Sequence, residues 1–266
     1  MLAFKKLDLT KGIFGSPWAD PFYSNFKNFF ESPYFLSLLS NTLYISLLKL
    51  VFMTAAAIFM AIIINEIGNT RFKKLTQTIT YMPHFLSWVT IYGVLFLFFS
   101  EVDGVVNLLI KAMGGESINI LSNVKTFRAL AVISDMWKET GFSAIIYLAA
   151  ISGIDLSQYE AAKVDGASRI KIIYYITLPN LWGIIIVMGL LHLGQIMDAG
   201  FEQIYILQNT RVISVAEILD TYTYKIGLQQ MMLEYASAIG LFKSLIATIL
   251  VVSMNRLAKR SGNALW

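Results

Sequence analysis

Four polar side chains interrupt an apolar stretch of the sequence between residues 183 and 206. They are His192, Gln195, Asp198 and Glu202. If the stretch forms one helix, a rotation of about 100° per residue places all four within an arc of about 120° on one face. Ionisable groups inside a membrane are costly and usually face a cavity or a partner. We interpret the stripe as a candidate contact for a hydroxyl-rich solute in transit, with packing against a neighbouring helix or a partner subunit as the alternative.

Three aromatic side chains in other apolar stretches are candidates for stacking on sugar rings. They are Trp88, Tyr92 and Trp137. Aromatic residues near the ends of apolar runs also serve as anchors at the membrane interface, which is the alternative role here. Trp88 and Trp137 join the polar stripe in the predicted substrate pathway.

Charged residues interrupt two further apolar stretches of the chain. Asp135 and Lys138 are three residues apart, so on a helix they could neutralise each other, and we favour such a structural ion pair. Lys49 lies in the middle of the first apolar stretch. We expect its stem to lie along apolar surface with the ammonium at the membrane interface, or the ammonium to pair with a partner subunit.

The composition identifies a membrane protein. Of the 266 residues, 56% are hydrophobic and only 14% are charged, whereas soluble domains carry about 25% charged residues. Five apolar segments are long enough to span a bilayer as helices, namely residues 37–64, 79–100, 129–151, 183–206 and 234–256. Because backbone groups in lipid must bond internally, we predict an all-α bundle of transmembrane helices.

Basic residues between these segments differ in number on the two sides of the membrane. One side holds Arg71, Lys73, Lys74, Lys163, Arg169, Lys171, Arg256, Lys259 and Arg260. The other side holds Lys111, Lys125, Arg211 and Lys225. The positive-inside rule therefore places the first group and the C-terminus in the cytoplasm. We predict an external segment over residues 1–35, a transmembrane domain over 36–256 and a cytoplasmic tail over 257–266. The external segment then contains, against the rule, Lys5, Lys6, Lys11 and Lys27.

Residues 155–182 are too polar to span a membrane and too regular to be a plain linker. Ser157 can cap a helix start, with Glu160 three residues later in the capping-box arrangement. Gly166 permits a sharp bend that residues with a side chain resist. A second helical run follows, and we expect Pro179 to end it and to start the next span. The pattern predicts two short helices joined at a glycine on the cytoplasmic side.

The same residues resemble the EAA loop of ATP-binding-cassette (ABC) importer permeases. The matching positions are Glu160, Ala161, Ala162, Gly166, Ile176, Leu178 and Pro179, with Asp165 beside the glycine. The resemblance implies that the loop forms a coupling helix that docks into a groove on a separate ATPase, where Glu160 meets a basic residue. The alternatives are that Glu160 only caps its own helix, or that the loop is a solvated connector.

Further segments resemble the LplB-like subgroup of the maltose-permease family, which imports polysaccharide fragments and other oligosaccharides. They are GSPW at 15–18, YMPHFLSW at 81–88, GFEQIYIL at 200–207 and the tail NRLAKRSGNALW at 255–266. The resemblance implies a MetI-like type I importer fold in a bacterial plasma membrane, usually with six spans, of which we expect the first to be missing. It also implies partners: a second permease, two ATP-binding-cassette ATPase subunits and an extracellular or periplasmic solute-binding protein.

Motifs of common enzymes are absent from the sequence. It contains no Gly-Lys dipeptide and therefore no Walker A loop, no HExxH zinc motif and no cysteine. We expect no cofactor or metal in this chain, with ATP and Mg²⁺ bound by the partner ATPase subunits. Two rival interpretations are a proton-driven transporter, with His192 and Asp198 as the relay, and a membrane scaffold that transports nothing. The first rival leaves the EAA-like loop unexplained.

Overall fold

The computed structural model describes residues 1–259 of the chain. Within that range the regular structure is helical, and the only bridge of β type joins Lys5 and Trp18. The α-helices are Gly12–Gly15, Ser24–Phe30, Phe35–Glu66, Thr70–Tyr81, Trp88–Phe99, Val105–Ala112, Val124–Ser152, Leu156–Val164, Arg169–Ile172, Leu178–Gly194, Phe201–Leu207, Ile213–Ala216, Leu219–Tyr224 and Leu233–Lys259. Short 3₁₀ segments occupy Leu2–Phe4 and Met82–Phe85, and single π-turns occupy Ile173–Thr177 and Lys225–Gln229. The predicted all-α class is confirmed.

Three helices are long and apolar enough to cross a membrane. They are Phe35–Glu66, Arg169–Gly194 and Leu233–Arg256. Two further spans are obtained if each of two bent helix pairs counts as one, which gives up to five. The first and last predicted spans therefore correspond to continuous helices, whereas the second, third and fourth differ from the prediction.

The second predicted span is not straight. Its two parts, Thr70–Phe85 and Trp88–Phe99, meet at an angle of 103°. Pro83 lies at the start of the intervening 3₁₀ turn, and Leu86 after it is extended, with ψ at 140°. Proline has no backbone N–H and its ring crowds the preceding turn, so an α-helix cannot continue undisturbed through this point. The third predicted span also bends, by 73°, where Val124–Ser152 meets Leu156–Val164.

The fourth predicted span has the wrong bounds. The helix runs from Arg169 to Gly194, so Pro179 lies inside it and neither ends nor starts a helix. A π-turn precedes the proline, and the Leu178 N–H donates to the Ile173 carbonyl. This extra residue in the turn makes room for the proline ring, a usual cause of π-bulges and kinks. Because the helix stops at Gly194, the chain beyond it forms a turn and then a separate helix, Phe201–Leu207.

The chain divides into two compact units, of which the first comprises residues 1–47, 88–131 and 194–251. Its buried core includes Ile45, Phe127 and Ile204. The N-terminal residues of this unit are ordered around Lys5, whose Nζ donates to the carbonyls of Ile13 and Phe14 at 2.9 and 2.8 Å. Residues 1–35 thus form a defined structure within this unit.

The second unit comprises, of the described residues, 48–87, 132–193 and 252–259. Its core contains Ala57, Ala61, Tyr147 and Leu181. Small residues bring helices close together here, and Gly141 is the clearest case. A Cβ atom at that position would lie 2.0 Å from the Thr80 carbonyl oxygen, so only glycine allows this approach of two backbones.

Candidate coupling and substrate-pathway sites

The helix Leu156–Val164 is capped by Asp155, not by the predicted Ser157. The Asp155 carboxylate accepts hydrogen bonds from the Ser157 N–H at 3.0 Å and from the Ser157 hydroxyl at 2.7 Å. Ser157 already lies within the first helical turn, so it donates to the cap and cannot itself be one. These hydrogen bonds from Ser157 hold the pKa of Asp155 below its usual value, because they favour the ionised carboxylate.

Gly166 ends this helix in the left-handed conformation. Its φ is +71°, which residues with a side chain adopt at a cost, and a Cβ there would meet no atom within 4 Å. The Gly166 N–H donates to the Lys163 carbonyl at 3.1 Å, and the Ala167 N–H donates to the Ala162 carbonyl at 2.9 Å. This pair of bonds is the Schellman arrangement. The bend predicted at this glycine is therefore present, and its cause is the backbone conformation rather than a lack of space.

One face of the same helix carries exposed apolar side chains beside Glu160. Leu156 is 72% exposed and Val164 is 88% exposed. Positions 156, 160 and 164 are four residues apart, so they share a helix face. The Glu160 carboxylate is exposed and has no partner within residues 1–259. This face therefore offers two apolar contacts around one free carboxylate.

The other residues of the predicted loop motif lie around this helix and the one that follows. Ala161, Asp165 and Pro179 are exposed, and Ala162, Ile176 and Leu178 are half-buried. No side chain of Leu156–Val164 is fully buried. A cavity of about 360 Å³, with Tyr159, Lys163 and Arg169 among its lining residues, lies beside the helix. The helix is thus not held by a packed apolar face.

Two polar contacts, which sequence reasoning missed, join this helix to the next long helix. The Tyr159 hydroxyl lies 3.1 Å from the Thr177 hydroxyl. The Asn180 amide donates to the Gln158 side-chain oxygen at 3.1 Å and to the Ile176 carbonyl at 2.8 Å. Because both contacts lie close to Pro179, they tie the helix Leu156–Val164 to the part of the span Arg169–Gly194 around that proline. Their partners are about 20 residues apart in sequence, and no local pattern marks them.

The predicted polar stripe does not form one helix face. His192 lies in the last turn of Leu178–Gly194, where its Nδ1–H donates to the Met188 carbonyl at 2.9 Å. Gln195 is exposed in the turn that follows. Asp198 also lies in that turn, and Glu202 is exposed in the separate helix Phe201–Leu207. The prediction assumed one continuous helix with a rotation of about 100° per residue. The helix ends at Gly194, so the four side chains do not share a face.

Asp198 belongs instead to a three-residue network. The Lys243 ammonium donates to the Asp198 carboxylate and to both oxygens of Asp220, at 2.7 and 2.8 Å. Asp198 remains 50% exposed, whereas Asp220 and Lys243 are mostly covered. Two carboxylates share one ammonium, so the network carries one surplus negative charge. Asp220 and Lys243 come from later segments, and sequence reasoning did not connect them with Asp198.

The charged residues of the first and third long helices also pair differently from the prediction. Asp135 forms its ion pair with Lys49, at 3.5 Å, with both side chains shielded from solvent. Lys138, its predicted partner, lies 3.0 Å from Glu139. Lys49 therefore pairs within this chain rather than at the membrane interface or with another subunit. Helix spacing predicted Lys138 as the partner of Asp135, but helix packing places Lys49 beside it instead.

Glu139 has a second partner at the bend of the second span. Its carboxylate lies 2.6 Å from His84 Nδ1, and the His84 ring stacks on Phe142 with 3.9 Å between ring centres. The Lys138 ammonium donates to the His84 carbonyl. The bent backbone is thus held by side chains of the neighbouring helix.

The aromatic pathway candidates lie on two helices. Trp137 is about half exposed on Val124–Ser152, and Trp88 is half-buried at the start of Trp88–Phe99. Tyr92 packs against the core of the first unit. Their predicted role in sugar stacking stays a prediction.

Comparison with known proteins places this geometry in a family. Residues 27–263 match the family described as binding-protein-dependent transport system inner membrane component. Protein LplB of Bacillus subtilis (strain 168) is 40% identical over 98% of this chain and 81% of its own length. The polygalacturonan/rhamnogalacturonan transport system permease protein YteP of the same organism is 42% identical over 98% of this chain and 81% of its own length.

A solved structure shows the same fold. It is the crystal structure of a bacterial alginate ABC transporter in complex with an alginate pentasaccharide-bound periplasmic protein. The TM-score is 0.87 at 36% identity, over 91% of this chain and 84% of the other. With the family model covering most of the residues, this chain belongs to the binding-protein-dependent transport system inner membrane components, the membrane-spanning permeases of such importers.

Proposed function

We propose that this chain couples ATP hydrolysis by separate ATPase subunits to the import of oligosaccharides. The observation that carries the proposal is the exposed face of Leu156–Val164, where a free Glu160 carboxylate lies between two exposed apolar side chains. Exposed apolar groups around a charge are typical of a protein docking surface. We name this helix, with its cap Asp155 and its end at Gly166, the coupling segment.

The proposed partners follow from the family. Two ATPase subunits would bind ATP and Mg²⁺ and receive the coupling segment, so this chain needs no cofactor of its own. A second permease would complete the pathway, and a solute-binding protein outside would deliver the sugar. The C-terminus would be cytoplasmic, on the side with more basic residues. An oligosaccharide substrate is supported by the names of the similar proteins, which concern polygalacturonan, rhamnogalacturonan and alginate.

The proposed mechanism depends on how the coupling segment is attached. Closure of the ATPases on ATP would draw the coupling segments together. Tyr159 and Gln158 would pass this movement to Thr177 and Asn180, which flank Pro179 in the next span. Because Arg169–Gly194 is continuous through Pro179, it can tilt as one lever and change the access of the pathway from inward to outward.

The contacts of His192 and Asp198 favour structural roles over the rival proton relay. His192 hydrogen-bonds a carbonyl of its own helix, and Asp198 is held by Lys243. Uptake that survives ATP depletion but stops with an uncoupler would restore that rival.

Replacement of Glu160 tests the proposal. In the reconstituted transporter, we expect Glu160→Ala to lower substrate-stimulated ATPase activity and uptake at least about tenfold, because a charge pair at a desolvated interface is lost. The matched control is Glu116→Ala, which removes another exposed glutamate, from a loop predicted to be external. Both variants should insert in the membrane at wild-type levels. Full activity of the Glu160 variant would overturn the assigned role of the coupling segment.

A further inference from the structure

Arg128 carries a guanidinium that the described residues do not fully use. It extends from the helix Val124–Ser152, and one of its terminal N–H groups donates to the Asn41 side-chain oxygen at 2.7 Å. The guanidinium carbon lies 4.6 Å from the centre of the Tyr44 ring, a cation–π distance. The Nε atom is buried and has no hydrogen-bond partner within residues 1–259. Because a guanidinium has five N–H donors, Arg128 retains most of its capacity to bind an acceptor.

Asn41 holds the guanidinium in place. Asn41 is only 2% exposed, and its amide donates to the carbonyls of Ser214 and Glu217, at 3.0 Å each. A basic side chain that merely reaches for the membrane interface needs no such support. A donor group that is braced by a buried side chain is typical of a preorganised binding site.

The positive charge of Arg128 is not balanced in this network. Glu217 offers its backbone carbonyl to Asn41, but its carboxylate pairs with Lys225 at 2.7 Å. Within residues 1–259 no carboxylate lies within salt-bridge distance of Arg128. Arg128 and Lys225 are cations and Glu217 is the one carboxylate beside them, so these three side chains carry one net positive charge. An uncompensated charge among apolar helices is costly unless it meets water or an anion, so this position favours an anionic ligand.

We propose that Arg128 binds the carboxylate of a uronic acid unit in the transported oligosaccharide, which makes the pathway selective for acidic oligosaccharides. The inference rests on the proposed import function. The planar guanidinium matches a carboxylate with two parallel, charge-assisted hydrogen bonds, which hydroxyl groups of a neutral sugar do not provide. The Tyr44 ring beside it is 50% exposed, so the site is open on one side.

A binding measurement on the assembled transporter tests this role. The complex of permeases and ATPases is placed in nanodiscs and held in its ATP-bound form with a hydrolysis-deficient ATPase, and no solute-binding protein is added. The probes are trigalacturonate and its fully methyl-esterified, uncharged form, and their affinities are measured by saturation-transfer NMR titration. We expect the wild type to bind trigalacturonate at least about tenfold more tightly than the ester.

Arg128→Gln should remove this preference and leave the affinity for the ester within about twofold. Arg128→Lys, which keeps the charge but not the planar pair of donors, should fall between the two. The control is Arg211→Gln, which removes an exposed arginine of the same unit and should keep the preference.

Other outcomes overturn the inference in distinct ways. A preference that survives Arg128→Gln would mean that the guanidinium serves a lipid phosphate or a carboxylate of a partner subunit. If Arg128→Gln lowers the affinity for both probes equally, Arg128 has a structural role. If the wild type binds both probes equally or binds neither, the inference fails while the import function stands, since Glu160→Ala tests that function separately.

Discussion

The coupling segment and the Lys243 network are built in opposite ways. The coupling segment takes its cap, its turn and its end from residues 155–167, and none of its helical side chains is fully buried. The Lys243 network joins Asp198, Asp220 and Lys243, which are up to 45 residues apart in sequence and come from three different segments. The first is a surface made by local backbone geometry, and the second is a polar cluster made by packing.

This difference bears on what each region contributes. Side chains that face outward contribute little to folding, so changes there should affect coupling and spare the fold. Removal of one partner from a partly buried charge network destabilises the fold, because the remaining partners keep desolvated charges. Substitutions in the two regions should therefore separate loss of coupling from loss of stability.

The largest effect is expected for Lys243→Met. It leaves two carboxylates without their shared cation, and because the network is only partly buried we expect a loss of about 2–3 kcal/mol in the free energy of unfolding. The thermal midpoint of the purified complex should fall by several degrees. Lys259→Met, at an exposed position of the same helix, is the control and should leave the midpoint unchanged. An unchanged midpoint for Lys243→Met would contradict the contrast between the two regions.

An intermediate effect is expected for Gly166→Val. A β-branched residue at a φ of +71° adds about 1–2 kcal/mol of local strain, which the exposed segment can relieve by changing shape. Stimulated ATPase activity should fall about tenfold with little change in the thermal midpoint. Gly166→Asn, which tolerates this conformation, should keep more of the activity. A midpoint that falls as far as in Lys243→Met would show that the coupling segment also supports the fold.

The smallest effect is expected for Tyr159→Phe. It removes one hydrogen bond, to Thr177 at 3.1 Å, which is worth about 1 kcal/mol. The attachment of the coupling segment should loosen, so that transport per ATP hydrolysed falls a few-fold while stability and ATPase activity change little. Tyr174→Phe is the control, since Tyr174 is exposed. If both variants transport the same amount of substrate per ATP hydrolysed, Tyr159 does not transmit the proposed movement.

The sequence by itself determined the membrane class, the helical fold, the first and last spans and the position of the bend at Gly166. These features depend on composition, on the length of apolar runs and on backbone preferences of single residues, all of which act over short distances along the chain. The motif around Glu160 was visible for the same reason, because the coupling segment is local in sequence. Even so, the cap moved from Ser157 to Asp155, a shift of two residues that propensity does not resolve.

Only the tertiary structure decided the partners of the buried charges and the ends of the fourth span. Lys49 pairs with Asp135, and Asp198 with Lys243, because helix packing brings together residues that no sequence spacing relates. The unbalanced positive charge of Arg128 followed only from the packed structure, in which the Glu217 carboxylate pairs with Lys225. Charges separated in sequence are costly to leave alone in an apolar interior, so their pairing is settled by the packed fold as a whole.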